Sequence, residues 1–276
     1  MEWNFFHSLA FGVICGFGEF LPVSAEAHRR FFALFTGAGA EIAGFRLAGH
    51  IGALLALLLC CHPQLQKQRR EQRLAAVPPR RRKRQPDMRT ILDIRVLRTA
   101  AVPMLVGFAA YLFFPPEGYL WLLAALLALN GVLLYIPQVR RIGNKDSQHM
   151  SALESVLFGL GSALGAIPGI SRIGSGTSTL QLTGVDRQAA LELSLLLSVP
   201  ALIALTGLDV YALFTVAGSF SLAYFFQYIL VAAAAAGSAY LGIVLVRFLS
   251  VHEGFSGFSY YCWGAALLMF ILYLTI

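Results

Sequence analysis

At 276 residues, with 58% hydrophobic and only 13% charged residues and a mean hydropathy of +0.70, the chain is too apolar for an ordinary soluble domain, whose charged fraction is about 25%. The composition excludes a soluble globular fold and points to one all-α polytopic membrane domain over 1–276. The net charge of +7 is concentrated in residues 62–98, where 12 Lys/Arg face only Glu71, Asp87 and Asp93; the run Arg80-Arg81-Arg82-Lys83-Arg84 therefore reads as a cytoplasmic loop obeying the positive-inside rule, within reach of anionic headgroups, rather than as a nucleic-acid site.

In chain order, residues 5–17 form an apolar arm that runs into a polar stretch containing Glu19, Pro22, Ser24, Glu26, His28, Arg29 and Arg30, and a second apolar arm follows at 31–35. Neither arm is long enough to span a bilayer alone, so the segment reads as a re-entrant hairpin. Spans are expected at 43–61, at 99–114 with Pro103 inside, and at 119–136, with a tight turn at Pro115-Pro116-Glu117-Gly118. A second basic connection carries Arg140, Arg141 and Lys145.

The second half repeats the theme. A glycine-interrupted arm at 153–167 reaches a polar tip at 168–176, and a return arm follows at 177–183. Asp186 is the expected N-cap of the next helix. Spans at 188–205 (with Pro200), 222–248 and 258–276 complete the chain. Gly12 and Gly159, and likewise Ser24 and Ser171, are 147 residues apart. Both basic loops being cytoplasmic, the first hairpin enters from outside and the second from inside. The expected architecture is six spans and two re-entrant hairpins in an inverted repeat, residues 1–137 and 138–276, with both termini outside and the binding site where the hairpins meet. The N-terminal segment lacks a basic flank and reads as retained. Cys15, Cys60, Cys61 and Cys262 have no metal-ligand spacing and read as packing residues.

An arginine at membrane depth is costly unless it grips something negative. Arg172, beside Ser171 and among Gly169, Gly174, Ser175 and Gly176, therefore suggests a phosphate site, with a guanidinium fork and backbone N–H groups freed by glycine. The opposite tip offers Glu19, Ser24, Glu26 and His28, a carboxylate and imidazole set able to supply a base or nucleophile. Glu26, Arg29 and Arg30 also fit an interface position. Arg46 and His50, one helical turn apart, could face the site but are read as structural polar contacts, as is Glu41. Glu192 has no evident partner in the sequence.

Glu19-Phe20-Leu21-Pro22-Val23-Ser24 with His28, and Pro168-Gly169-Ile170-Ser171-Arg172-Ile173-Gly174, resemble the two signatures of the bacterial undecaprenyl pyrophosphate phosphatases of the bacitracin-resistance type. Residues 184–190, 194–200 and 257–264 fit as well, so the resemblance covers nearly the whole chain. It implies a hydrolase that removes phosphate from undecaprenyl diphosphate and regenerates the lipid carrier for the cell envelope, in a multi-pass protein of the bacterial inner membrane. It further implies Glu19, His28, Ser171 and Arg172 as the residues of catalysis or diphosphate binding, while Ser24, Glu26, Gly169, Gly174, Ser175 and Gly176 are read from the residues themselves as substrate contacts. A divalent cation, magnesium or calcium, would be held at Glu19. The expected partners are the polyprenyl diphosphate lipid and the bilayer, with no nucleic acid and with a homodimer among the admissible assemblies. The sequence departs from the family pattern at Cys15, where a second glutamate is usual, at Ala25-Glu26-Ala27, and at Ile170, Ile173 and Gly176, where hydroxyls are usual. A polyprenyl-phosphate transporter or flippase with little hydrolysis is the alternative that the inverted repeat and the lost hydroxyls suggest.

Overall fold

The computed structural model describes residues 3–37, 43–88, 91–113, 119–140, 143–215, 221–252 and 254–275. Their ten α-helices are α1 (Phe5–Phe20), α2 (Ala25–Thr36), α3 (Ala43–Ala76), α4 (Ile94–Phe113), α5 (Leu120–Tyr135), α6 (Ala152–Ala163), α7 (Arg172–Leu182), α8 (Arg187–Thr215), α9 (Phe225–His252) and α10 (Ser256–Thr275). Five of them, α3, α5, α8, α9 and α10, are long and apolar enough to cross a membrane, which makes this a multi-pass membrane protein. The sixth expected span, α4, carries Arg95 and Arg98 at its start and is not among the five. Its far end runs toward residues 114–118, so the turn expected there lies outside the described residues, as does Glu41.

The packing repeats itself. Helix α1 lies on α9 as α6 lies on α4, while α3 meets α8 and α5 meets α10. Phe11 and Phe158, again 147 residues apart, are both fully buried and anchor the α1–α9 and α4–α6 faces. Between the two hairpins lie α3, α4 and α5, of which α3 and α5 are long and apolar enough to cross a membrane.

Each hairpin folds where its sequence interrupts the helix. Pro22 has no N–H to continue α1, and Ser24 restarts the chain as N-cap of α2 by accepting from Ala27 N. In the second hairpin a 3₁₀ turn at Leu164–Ala166 leads to Gly169, whose φ of 99° favours glycine; Ser171 then caps α7 through Gly174 N. The arms cross closely. A Cβ at Gly18 would lie 2.7 Å from Ala25 Cα, and one at Gly165 would overlap Arg172 Cα, two contacts related by the same 147-residue offset. The polar tips are shorter than expected. Residues 25–30 and 172–176 already form the first turns of α2 and α7, because the two serine caps let the helices begin there.

Two spans run further than the apolar pattern suggests. Helix α8 passes through Pro200 and continues to Thr215, bringing Asp209 with it; Asp186 caps its start by accepting from Gln188 N and Ala189 N, both at 3.1 Å. Helix α3 continues beyond Cys61, its basic extension being clasped by the loop that follows. Gln68 Nε2 donates to Leu92 O at 2.9 Å, and Glu71 accepts from the Arg84 guanidinium and from Asp87 N. The Arg84 bond chiefly, with the Asp87 N–H, holds the Glu71 carboxyl well below its ordinary 4.5, at about 2. The clasp therefore adds stability above about pH 4.5 that is lost as pH falls through about 2. Amide exchange across residues 62–76 should rise over that acid window in the wild type. A Glu71→Gln variant should show faster exchange already at neutral pH, and equal protection in the two proteins would contradict the clasp.

Candidate active site

The two hairpin tips are tied together by bonds that cross the repeat. Gly169 N donates to Ser24 Oγ at 2.9 Å, and Ser171 Oγ donates to Leu21 O at 3.3 Å. Asn130 of α5, fully buried, holds both tips: its Oδ1 accepts from Ser171 N at 2.9 Å and its Nδ2 donates to Pro22 O at 3.2 Å. The N-termini of α2 and α7 consequently converge on one region, where their partial positive charges favour an anion.

Beside these tips lies a cavity of about 230 Å³, bordered by both tips and by Arg46, His50, Leu205 and Asp209. Its centre is an ion pair between the hairpins: Arg172 Nη2 lies 3.0 Å from Glu19 Oε2, and Arg172 Nε donates to Ser198 Oγ at 3.3 Å. The second Glu19 oxygen lies 3.4 Å from Arg29 Nη1 and 3.5 Å from His50 Nε2. Arg29 also binds Glu26 Oε2 through Nε and Nη2, at 3.1 and 3.0 Å, and Arg30 Nε reaches Glu26 Oε1 at 3.3 Å. On the far wall Asp209 bridges α3, accepting from Arg46 Nε at 3.1 Å and from His50 Nδ1 at 2.6 Å. Glu19, Arg172, His50 and Asp209 are each no more than 8% exposed. Three guanidiniums thus border one cavity, each held by a carboxylate.

The repeat explains why there is space. Displaced by 147 residues, Glu19 corresponds to Ala166 and Arg172 to Ala25. One crossing of the pseudo-symmetric pair carries the salt bridge; the other carries two alanines, both of which line the cavity.

Of the residues singled out from the sequence, Glu19, Ser24, Glu26, Ser171 and Arg172 border the cavity. His28 does not. It faces the opposite side of α2, where Nδ1 meets Ser24 O at 2.6 Å, Nε2 meets Tyr261 OH at 2.6 Å, and the ring stacks on Tyr261. The cause is helical geometry: α2 begins at Ala25, which borders the cavity, residue 28 stops about 60° short of a complete turn from it, and Arg29, about 40° past one, takes the inner position. Nor do Gly169, Gly174, Ser175 and Gly176 form an open cradle of N–H groups. The N–H groups of Gly169 and Gly174 are already bonded to Ser24 and Ser171. Ser175 Oγ donates to Ser171 O at 2.7 Å, and a Cβ at Gly176 would lie 2.6 Å from Ser162 Oγ. These small residues let α7 pack among α5, α6 and α8. Arg46 and His50 do face the site, and their partner Asp209, like Asn130, was not singled out; only the four-residue spacing of Arg46 and His50 signalled the first pair. Glu192 finds Arg247 of α9 at 2.8 Å, at a separate open cavity of about 760 Å³ on the basic side that none of the expected site residues borders.

The donor set does not fit a resident divalent cation. Among the described residues no group of three or more His, Cys, Asp or Glu side chains is placed to hold one, and both Glu19 oxygens face guanidiniums. Cys15, where the resemblance leads one to expect a second carboxylate, is buried against Gly49.

A family model described as bacitracin resistance protein BacA matches residues 8–268. Relatives named undecaprenyl-diphosphatase include one from Methanobrevibacter smithii, 28% identical over 96% of both chains, and one from Nocardioides sp., 30% identical over 72% of both. Undecaprenyl-diphosphatase 1 of Shouchella clausii is 29% identical over 94% of this chain and 93% of its own.

Proposed function

The chain belongs to the bacitracin resistance protein BacA family, and on that basis we propose that it hydrolyses undecaprenyl diphosphate to the monophosphate and inorganic phosphate in the cytoplasmic membrane, recycling the lipid carrier. The observation that carries the reading is the buried Glu19–Arg172 pair joining the two hairpin tips beside a cavity at the convergence of two helix N-termini. The relatives' names speak for hydrolysis over the transport alternative.

Phosphoryl transfer leaves the protein little covalent work; positioning and charge stabilisation dominate. Arg172 supplies the forked donor for the diphosphate, with Arg29 and Arg46 on flanking walls. In the resting site the carboxylates of Glu19, Glu26 and Asp209 keep these guanidiniums aimed without collapse onto one another. An arriving diphosphate adds negative charge where the positive groups are already oriented, so little reorganisation is needed. Ser24 Oγ accepts from two N–H groups, which directs its own proton toward a phosphate oxygen. Magnesium or calcium, expected from the resemblance, finds no ready-made ligand set, and in this proposal the guanidiniums provide the charge neutralisation.

The test is phosphate release from undecaprenyl diphosphate by the purified protein in lipid, run with magnesium, with calcium and with chelator. Release that persists in chelator supports both the activity and its arginine-based site. Absence of release under every cation condition would sink the proposal.

A further inference from the structure

We propose that Arg46 of α3, with the apolar wall of α8 beside it, receives the lipid-bearing phosphate of the substrate and so gives the site its preference for a prenyl-linked phosphate over free phosphate. The inference rests on the diphosphatase reading, and Arg46 lies outside both signatures.

The three guanidiniums at the cavity are not equally engaged. Arg29 is bonded through Nε and Nη2 to Glu26 and through Nη1 to Glu19. Arg172 uses Nη2 for Glu19 and Nε for Ser198. Arg46 makes one side-chain bond among the described residues, from Nε to Asp209 Oδ1 at 3.1 Å, so both of its Nη nitrogens are uncommitted there. A guanidinium grips phosphate best through two parallel N–H bonds, and of the three only Arg46 keeps its terminal pair open for them. Its aim is nevertheless fixed. Asp209 is buried and is held at its other oxygen by His50 Nδ1 at 2.6 Å, so the carboxylate that orients Arg46 cannot rotate away.

Depth distinguishes the two phosphates. The Arg172 side chain is 7% exposed, at the crossing of the hairpins, whereas that of Arg46 is 32% exposed, nearer the cavity rim. The terminal phosphate belongs at Arg172 and the convergent helix N-termini, where positive charge is most concentrated. The phosphate esterified to the lipid then lies outward of it, because its hydrocarbon chain has to leave the cavity. The wall it passes is apolar: Leu208, and Leu205 one turn before Asp209, border the cavity with Phe108. The first isoprenyl carbons thus meet a hydrophobic surface beside a cation for the phosphate that carries them. Inorganic phosphate has no chain to lay on that wall.

The placement also suits the reaction. Water oxygen bonds to the terminal phosphorus, and the bond from that phosphorus to the bridging oxygen breaks, its electron pair staying with the lipid phosphate. One water proton remains on the released inorganic phosphate and the other passes to solvent. The lipid phosphate gains a negative charge as the bridge breaks, in front of the open Nη pair of Arg46, so the contact strengthens toward the transition state.

The experiment measures inhibition of undecaprenyl diphosphate hydrolysis by two probes, farnesyl monophosphate and inorganic phosphate, in wild type, Arg46→Ala, Arg46→Lys and Arg46→Gln, with thermal melting of each protein. Arg46→Ala should raise Ki for farnesyl monophosphate ~10–10²-fold, the worth of hydrogen bonds to a charged group, and leave that for inorganic phosphate within about twofold. Its kcat should fall as well, since the same contact tightens while the bridge breaks. Arg46→Lys keeps the charge without the fork and should fall between. Arg46→Gln retains a donor for Asp209 and carries the comparison should Arg46→Ala not fold. The inference falls if a folded Arg46→Ala or Arg46→Gln protein keeps the wild-type Ki for farnesyl monophosphate. It falls equally if both inhibitors weaken alike, the result of a merely structural Arg46 or of one that faces the terminal phosphate. Stabilisation against melting by farnesyl monophosphate repeats the comparison without turnover. A wild type that releases no phosphate, yet loses this stabilisation on Arg46→Ala, would overturn the diphosphatase reading and keep the prenyl-phosphate subsite.

Discussion

Arg172→Ala is expected to reduce kcat/KM for undecaprenyl diphosphate by ~10³ or more, the scale on which a single arginine facing a transferring phosphoryl group acts. Two effects combine. The forked donor for the diphosphate is lost, and Glu19 is left buried with only the longer 3.4 Å contact to Arg29 and the 3.5 Å approach of His50. Removing one member of a buried ion pair costs about 3–5 kcal/mol, so the variant should also melt at a lower temperature. Arg172→Lys keeps the charge but cannot bridge two oxygens, and should lose about 10²-fold in rate with a smaller loss of stability. The double variant Arg172→Ala/Glu19→Gln separates the effects, since it removes the orphaned charge: stability should recover while activity stays low. An Arg172→Ala protein within tenfold of wild type would show that the guanidinium does not meet the reacting phosphate.

Asn130→Leu should be the most damaging change remote from any charged group. The leucine is close in volume, so packing alone predicts a small effect. Yet Ser171 N–H loses its partner inside a buried region and Pro22 C=O keeps only the long 3.9 Å contact from Cys262 Sγ, and each buried polar group left unpaired costs about 1–3 kcal/mol. A total destabilisation of ~2–5 kcal/mol is expected, measurable as a lower midpoint of thermal unfolding in detergent. Phosphate release should fall too, because Asn130 joins the two tips that position Glu19 and Arg172. An unchanged midpoint would mean that the tips are held by Ser24 and Ser171 alone.

The hairpins were legible because their signals are local: Pro22 and Pro168 break helices, Ser24 and Ser171 restart them, and the 147-residue offset relates the two. The meeting of the two polar tips was legible from charge and topology; read alone, the chain offered Arg172 a phosphate for its anion, and its direct pairing with Glu19 is seen only in the structure. Other parts depend on contacts that no local pattern records. Asp209 reaches His50 across 159 residues, from a stretch of α8 beyond the apolar window expected to end at 205. Asn130 looks like an isolated polar residue in an apolar run. The inward choice of Arg29 over His28 turns on where α2 starts, and one residue of shift rotates a helix by about 100°. The glycines of the second signature were read as a ligand cradle because glycine serves backbone approach and helix packing alike; only the neighbours of each absent Cβ distinguish the two.

The salt bridge between the tips also sets an order of events during synthesis. Arg172 follows Glu19 by 153 residues, so at the usual rate of about 5–20 residues per second the nascent chain holds Glu19 for roughly 8–30 s before its partner exists. Arg29, only ten residues on, is the nearest cation in the chain that contacts Glu19. The pair between the tips cannot form before the second hairpin has been made, whereas the Arg29 contact lies wholly within the first.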